Sequence, residues 1–386
     1  PTTHSIANIS KIYEPLTMER SREIMNPLVS KISIVTVNLP LRRPIVSSVG
    51  HYEKWPFIIT EVALGNGIVG NSYICPYLVN YTQPIESVIR ELFKIFENKS
   101  LAPNDFYEIG MRQLSLLGRS GIAMYALAAL DIAFWDASAK HADLPLCVHL
   151  GGSLAEVKAY NSGGLWLLPP EELASQASEL RKEGDFSALK IRLGRPELTS
   201  DLRAIEAVRG QMHQNDDLLS DFNQVLSFTD ALQCLRGLDN QGLYWFEEPI
   251  PYHEFQNYAE LRERVSTPLI LGENFHGVDH AMLSLERGSG DAIMPDLMRI
   301  GGISGWLKTA ALAKAYRKPV SSHLYHEVSA HLMRVTPTAD YLEWMNWVDP
   351  LLKEPYQVKE GHLVIPDRPG VGLEFRRDVI DRYKVS

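Results

Sequence analysis

The chain has 386 residues, 45% of them hydrophobic and 22% charged, with a formal net charge of −9 and a pI near 5.8. That length and composition allow a deep core and two domains, and exclude extended disorder. The acidic balance argues against nucleic acid or an anionic membrane as the main partner, and suits a divalent cation better. Cys75, Cys147 and Cys234 are too few and too scattered for a disulfide framework or a thiolate metal site, so they read as buried small hydrophobes in a reducing interior.

Taken in chain order, residues 1–31 are weakly patterned and read as an N-terminal extension. Their start, PTTHSIANISKIYEPL, lacks the basic flank and apolar core of a signal peptide. No run in the chain approaches the roughly 20 apolar residues of a membrane span, which predicts a cytoplasmic protein. Residues 32–156 read as an α+β domain. SKISIVTVNLPL alternates like a strand, and IITEVALGNGIVGNSYI reads as two strands joined at Asn-Gly. QPIESVIRELFKIFENK and SGIAMYALAALDIAFWDASAKHA then place apolar residues at steps of three and four, as helices do.

From about Val157 to residue 349 the rhythm changes to short apolar runs separated by amphipathic segments: ALKIRLG, DLLSDFNQ, GLYWFEEP, PLILGENF, DAIMPDL, PVSSHLY. Buried strands alternating with helices predict parallel βα units. One marker per run, at 190, 221, 247, 273, 296, 323 and 343, gives intervals of 31, 26, 26, 23, 27 and 20 residues. Such regular spacing fits a closed (β/α) barrel, whose strand ends converge on one site at the C-terminal mouth. The tail, 350–386, contains HLVIPDRPGVGLEF and reads as a strand and turn returning to the first domain.

Several of those strands end in an ionisable residue. Asp221, Glu247 and Glu273 come from three successive strand ends and would meet in a barrel. Three uncompensated carboxylates repel, so a cation must lie between them. All-oxygen ligation with room for substrate suits Mg²⁺ rather than zinc. Glu248 alternates away and reads as structural. Lys190 and Arg192 share one strand face on one side of the triad. On the other side His323 follows Asp296 by one unit, and a carboxylate accepting the imidazole N–H would fix the tautomer and make a base. Removing a proton next to a carboxylate needs stabilisation of the developing enolate. A divalent ion supplies it, and Glu343, if held protonated, could donate to the second carboxylate oxygen.

These residues, with PLRRPIVSSVG, GRSGIAMYALAALDIAFWDA, MPDLMRIGGISGW, SSHLYHEVSAHL, TPTADYLEW and PDRPGVG, closely resemble the enolase superfamily and, within it, the mandelate racemase subgroup. The resemblance runs from about residue 32 to the end. It implies an α/β fold, a modified (β/α)7β TIM-type barrel under an α+β capping domain, with one Mg²⁺ on Asp221, Glu247 and Glu273. It also implies a His323–Asp296 dyad as one base, Glu343 as electrophilic donor, Lys190 on the substrate carboxylate, and Asn223 and Ser162 on its polar groups. A symmetric homo-oligomer, an octamer, is a further implication.

The second basic residue of the subgroup's Lys-x-Lys pattern falls at Arg192, and a guanidinium cannot lose its proton to serve as the opposite-face base. Ile45, Val46, Val49, Tyr52, Trp55 and Tyr73 are expected to form an apolar wall suited to an aryl or alkyl side chain. The leading expectation is therefore racemisation or epimerisation of a 2-hydroxy acid of the mandelate type. Dehydration of a hydroxy acid with His323 as single acid and base is the alternative, and a non-catalytic metal-binding relative is the remote one.

Overall fold

The computed structural model describes residues 26–48 and 50–385. Of the expected extension, residues 1–25 lie outside the described residues. The capping domain starts at Val29, slightly before the predicted boundary. Its antiparallel sheet has the order β1 (Val29–Ser47), β2 (Gly50–Leu64) and β3 (Val69–Ile74), with Val29 opposite Leu64. The β2–β3 turn falls at the expected Asn-Gly, where Gly67 takes φ +88°.

Helices Thr82–Phe96 and Ile122–His141 cover this sheet, and Pro103–Gln113 packs on Ile122–His141. The first is amphipathic and buries Ile85, Ile89, Leu92, Phe93 and Phe96. The third differs from the sequence expectation of one apolar face: its residues are buried almost all round. By length and composition alone it could cross a membrane, yet 83% of its apolar window is buried inside the fold, as in the core helix of a large protein. Small residues let it come close to the sheet. At Gly70 a Cβ would lie 2.0 Å from the Ala133 carbonyl oxygen, so only glycine fits there.

The second domain is a ring of parallel strands, β4 (Val157–Asn161), β5 (Ala188–Arg192), β6 (Asp217–Asp221), β7 (Phe246–Glu247), β8 (Leu269–Leu271) and β9 (Ala292–Ile293), with amphipathic helices between them. β10 (Leu342–Trp344) pairs in parallel with β4. Between β9 and β10, residues 320–323 complete the ring through parallel bridges Ile293–Val320, Asp296–His323 and Val320–Ala339. Tyr160, Leu219, Trp245, Ile270, Met294 and Tyr341 form a separate apolar cluster on these strands. Tyr160, Trp245 and Tyr341 meet edge to face with centroids 5.7–6.3 Å apart.

The tail differs in part from its prediction. β11 (Gln357–Lys359) and β12 (His362–Val364) form a hairpin, and β12 pairs antiparallel with β4 of the ring, not with the cap. The return to the cap comes later. Val371 N–H donates to Asp136 Oδ1, Asn71 Nδ2 donates to the Leu373 carbonyl, and Arg377 pairs with Glu61. Asp136, fully buried, also accepts from Asn71 N–H and pairs with Lys140, so one carboxylate ties three segments together.

Candidate active site

Strand register brings the site together. Arg192 is the neighbour of Asp221 across β5 and β6, and Asp221 is the neighbour of Glu247 across β6 and β7. Glu273 follows β8 by two residues, and Asp296 and His323 face each other in the next bridge. One carboxylate oxygen from each of Asp221, Glu247 and Glu273 lies within 4.8 Å of the other two. These three hard oxygen donors, two buried and Glu273 partly exposed at the cavity, fit a Mg²⁺-like cation, which takes few protein carboxylates and keeps its other positions for water or substrate.

The electrostatics are those of a site built around positive charge. Burial, reinforced by Asp221, pushes the Glu247 carboxyl well above its ordinary range, and burial also raises Asp221. Lys190 Nζ sits 2.9 Å from Glu247 Oε1, 3.5 Å from Asp221 Oδ2 and 2.9 Å from Glu343 Oε1. Burial alone would favour its neutral form, but these carboxylates outweigh burial and hold the ammonium protonated. His323 Nδ1 lies 2.8 Å from Asp296 Oδ2, and its Nε2 lies 3.0 Å from Glu273 Oε2. Burial opposes charge on this imidazole too, yet Glu273 and Glu343 raise its pKa well above the usual value. The reciprocal effect carries Glu273 down to about 2 against the desolvation that burial imposes.

Glu343 differs from the sequence expectation of a protonated donor. It accepts from the Leu324 N–H at 2.8 Å and pairs with Lys190. Lys190 and His323 together overcome its burial and lower its pKa below the ordinary carboxylate range, the direction opposite to that of a proton-holding donor. Glu248 points away as expected and accepts from Gly272 N–H and Asn274 Nδ2. Burial and the nearby Glu273 raise it to about 8.

Arg192 is held by its surroundings. Nη1 donates to the Ser162 and Gly164 carbonyls, both at 3.0 Å, and Nη2 donates to Ser162 Oγ at 2.9 Å. The guanidinium lies 3.9 Å from the Trp166 ring centroid and 3.7 Å from Asp221 Oδ2. Such a planar, multiply bonded fork is a fixed cation.

A cavity of about 280 Å³ opens over these groups, lined by Lys190, Arg192, Asp221, Asn223, Glu273, His323 and Glu343 on its polar side. Ile45, Tyr52, Trp55, Tyr77, Trp166 and Trp347 line the other side. Trp55 centres this wall, 5.7 Å from Tyr52, 5.5 Å from Tyr77 and 5.1 Å from Trp347 by ring centroids. Ile45, Tyr52 and Trp55 are thus where the sequence reading put them, Val46 next to Ile45 does not line the cavity, and Val49 lies outside the described residues.

Two further expected contacts are corrected. Tyr73 does not line the cavity: its hydroxyl donates to Glu327 Oε2 at 2.5 Å and its ring stacks on Tyr325, because β3 turns it into the interface between the domains. Ser162 is fully buried and its hydroxyl is taken by Arg192, which leaves it behind the cavity wall. Asn223 does line the cavity, in a left-handed turn (φ 46°). Its N–H and Nδ2 both donate to Asp221, at 2.8 and 3.0 Å, so it also orients that carboxylate.

Sequence reasoning missed Asn274, Arg299, Tyr77, Trp166 and Trp347. Asn274 Nδ2 bonds both Glu248 and Glu273. Arg299 donates to the Glu273 carbonyl and to Asn274 Oδ1, and lies over the Tyr77 ring at 4.6 Å. A signal was available for two of them, since Asn274 adjoins Glu273 and Arg299 falls three residues after Asp296.

A capped ring of parallel strands with a carboxylate triad and a His–Asp pair at its C-terminal mouth defines a metal-dependent proton-transfer scaffold. The chain belongs to the mandelate racemase/muconate lactonizing enzyme family. Residues 29–151 match that family's N-terminal domain, and residues 172–379 match the enolase C-terminal domain-like family. It is 33% identical over 275 residues to the L-talarate/galactarate dehydratase of Salmonella typhimurium, covering 70% of this chain and 69% of that protein. Two solved structures are also similar. An enolase from alpha pretobacterium bal199 with bound Mg aligns with TM-score 0.91 and 40% identity over 93% of this chain and 99% of that one. An enolase from Bradyrhizobium complexed with magnesium and mandelic acid aligns with TM-score 0.90 and 31% identity over 94% and 100%.

Proposed function

We propose that the protein is a Mg²⁺-dependent dehydratase of a 2,3-dihydroxy acid bearing an apolar or aromatic substituent, with His323 as its only acid and base. The observation that carries this reading is the fixation of Arg192 by two backbone carbonyls and a serine hydroxyl. A locked guanidinium cannot take a proton, so no base stands at that position on the face opposite His323, and chemistry that needs one base is favoured.

When bound at Asp221, Glu247 and Glu273, Mg²⁺ supplies Lewis-acid stabilisation of the charge that develops on the substrate carboxylate. His323 Nε2 faces the Glu273 carboxylate, and a cation held by Asp221, Glu247 and Glu273 would leave that nitrogen free. His323 then removes the α-proton, with Asp296 holding Nδ1–H and the tautomer. Lys190, kept charged by its neighbours, binds the substrate carboxylate. The electron pair of the broken C–H bond forms the Cα–Cβ double bond as the Cβ–O bond breaks. The imidazolium returns its proton to the departing hydroxyl, which leaves as water, and the enol product tautomerises to a 2-keto-3-deoxy acid. Proton and leaving group pass over one face, as a single base requires.

The relatives support dehydration as a family chemistry, the Salmonella typhimurium protein being an L-talarate/galactarate dehydratase. The aromatic wall around Trp55 supports an apolar substituent over a polyol. The same wall, with the mandelic acid complex of the Bradyrhizobium structure, favours a second reading: racemisation of a mandelate-type acid. Incubation with Mg²⁺ in D₂O, followed by NMR of aryl 2-hydroxy acids and aryl or alkyl 2,3-dihydroxy acids, separates the two. Formation of a keto acid supports dehydration, whereas α-deuteration with inversion and an intact carbon–oxygen skeleton replaces it with racemisation.

A further inference from the structure

A second group of ligating side chains lies outside the cavity, where the cap meets the end of the last ring strand. His326 Nε2 is 3.0 Å from Glu327 Oε1 and 3.7 Å from Asp349 Oδ1, and one ligand atom from each lies within 4.8 Å of the other two. His326 and Glu327 are 1% and 0% exposed. None of the three facing atoms has a hydrogen-bond partner, although buried polar atoms normally do.

We infer that His326, Glu327 and Asp349 form a second cation site, distinct from the carboxylate triad and selective for a nitrogen-accepting divalent ion of the Zn²⁺ class. The atoms are arranged as ligands. The His326 ring bonds the Met345 backbone carbonyl, and since Nε2 is the unpartnered nitrogen, that bond falls to Nδ1–H and leaves the Nε2 lone pair facing the two carboxylates. The other oxygen of Glu327 is fixed by the Tyr73 hydroxyl at 2.5 Å, the outer-shell hydrogen bond that orients a metal-ligating carboxylate. Bonds of about 2.0–2.2 Å to a tetrahedral ion put ligand atoms roughly 3.3–3.5 Å apart, and the two His326 distances bracket that value. Burial raises both carboxyls to about 7, the response of acids in need of a compensating charge. Asp349, with its side chain 24% exposed, opens the site to solvent. A nitrogen ligand disfavours Mg²⁺ and favours Zn²⁺.

The test uses the full chain, stripped with chelator, returned to excess Mg²⁺ and titrated with Zn²⁺, with bound zinc counted by mass spectrometry after desalting. The wild type is expected to retain one Zn²⁺ per chain more than His326→Gln, and its thermal midpoint to rise with Zn²⁺ where that of the variant does not. Asp349→Asn lies at the rim, where loss of one carboxylate leaves the packing intact, and should weaken zinc binding at least tenfold. It decides the matter if His326→Gln fails to fold. Equal zinc content in the wild type and the folded variants, or no zinc retained by the wild type, overturns the site and assigns the three side chains to a shared proton.

Discussion

His323 and Asp296 sit on adjacent staves of the ring as bridge partners, with Nδ1 and Oδ2 2.8 Å apart. The bridge aligns their backbones, so the carboxylate meets the imidazole edge-on and the opposite nitrogen points into the cavity. If His323 is the base of the proposed reaction, His323→Asn should remove α-proton exchange altogether. Asp296→Asn should slow it by about 10²–10⁴-fold, the usual scale of general acid–base catalysis. Deuterium incorporation by NMR measures both, and Mg²⁺ affinity measured on the same samples should stay within severalfold of wild type.

Arg192→Lys tests whether this position can act as a base. A lysine cannot reproduce the three hydrogen bonds to Ser162 and Gly164, and its ammonium would face the same carbonyls. We expect a loss of about 1–3 kcal/mol in urea unfolding, for buried acceptors left unpaired, and no racemisation on chiral chromatography. Racemised product from the variant would instead show that this position faces the substrate and that the guanidinium is what denies the native chain a second base.

Chelation should abolish turnover, and Mg²⁺ should stabilise the fold by linkage. At a hundred times the dissociation constant the gain is about 2.7 kcal/mol, seen as a rise in the thermal midpoint. Asp221→Asn and Glu273→Gln should each lose most of that rise. A full Mg²⁺-dependent shift in either variant would remove that residue from the ligand set.

Asp131 provides a pH prediction away from the site. It is buried, accepts from Ser304 N–H at 2.9 Å and Oγ at 2.6 Å, and burial raises its carboxyl to about 7. The folded chain therefore holds this proton at pH values where the unfolded chain has released it. The resulting stability is fully present below about pH 4 and is lost as pH rises toward 7, at up to about 1.4 kcal/mol per pH unit. Unfolding of Asp131→Asn should show a flatter profile over that window than the wild type, and identical profiles would count against a raised carboxyl.

The spacing of strand-end residues was legible from the sequence because each βα unit returns the chain to the same level of the ring. A carboxylate repeated at that period must therefore converge with its neighbours, and Asp221, Glu247, Glu273, Asp296 and His323 were all found this way. The cap's sheet and helices followed from periods of two and three to four residues. What the period cannot encode is which distant side chain fills a partner's remaining valence. Tyr73 meets Glu327 across 254 positions, Arg192 is captured by carbonyls of a loop 28 and 30 positions away, and Lys190 and His323 pull the Glu343 pKa down. β12 joins the ring because the edge of β4 is there to receive it. The sequence by itself determined the class of chemistry, through residues whose positions repeat with the backbone. Tertiary packing decided which of those residues can give or take a proton, because charge state and hydrogen bonding depend on neighbours that only the closed fold brings together.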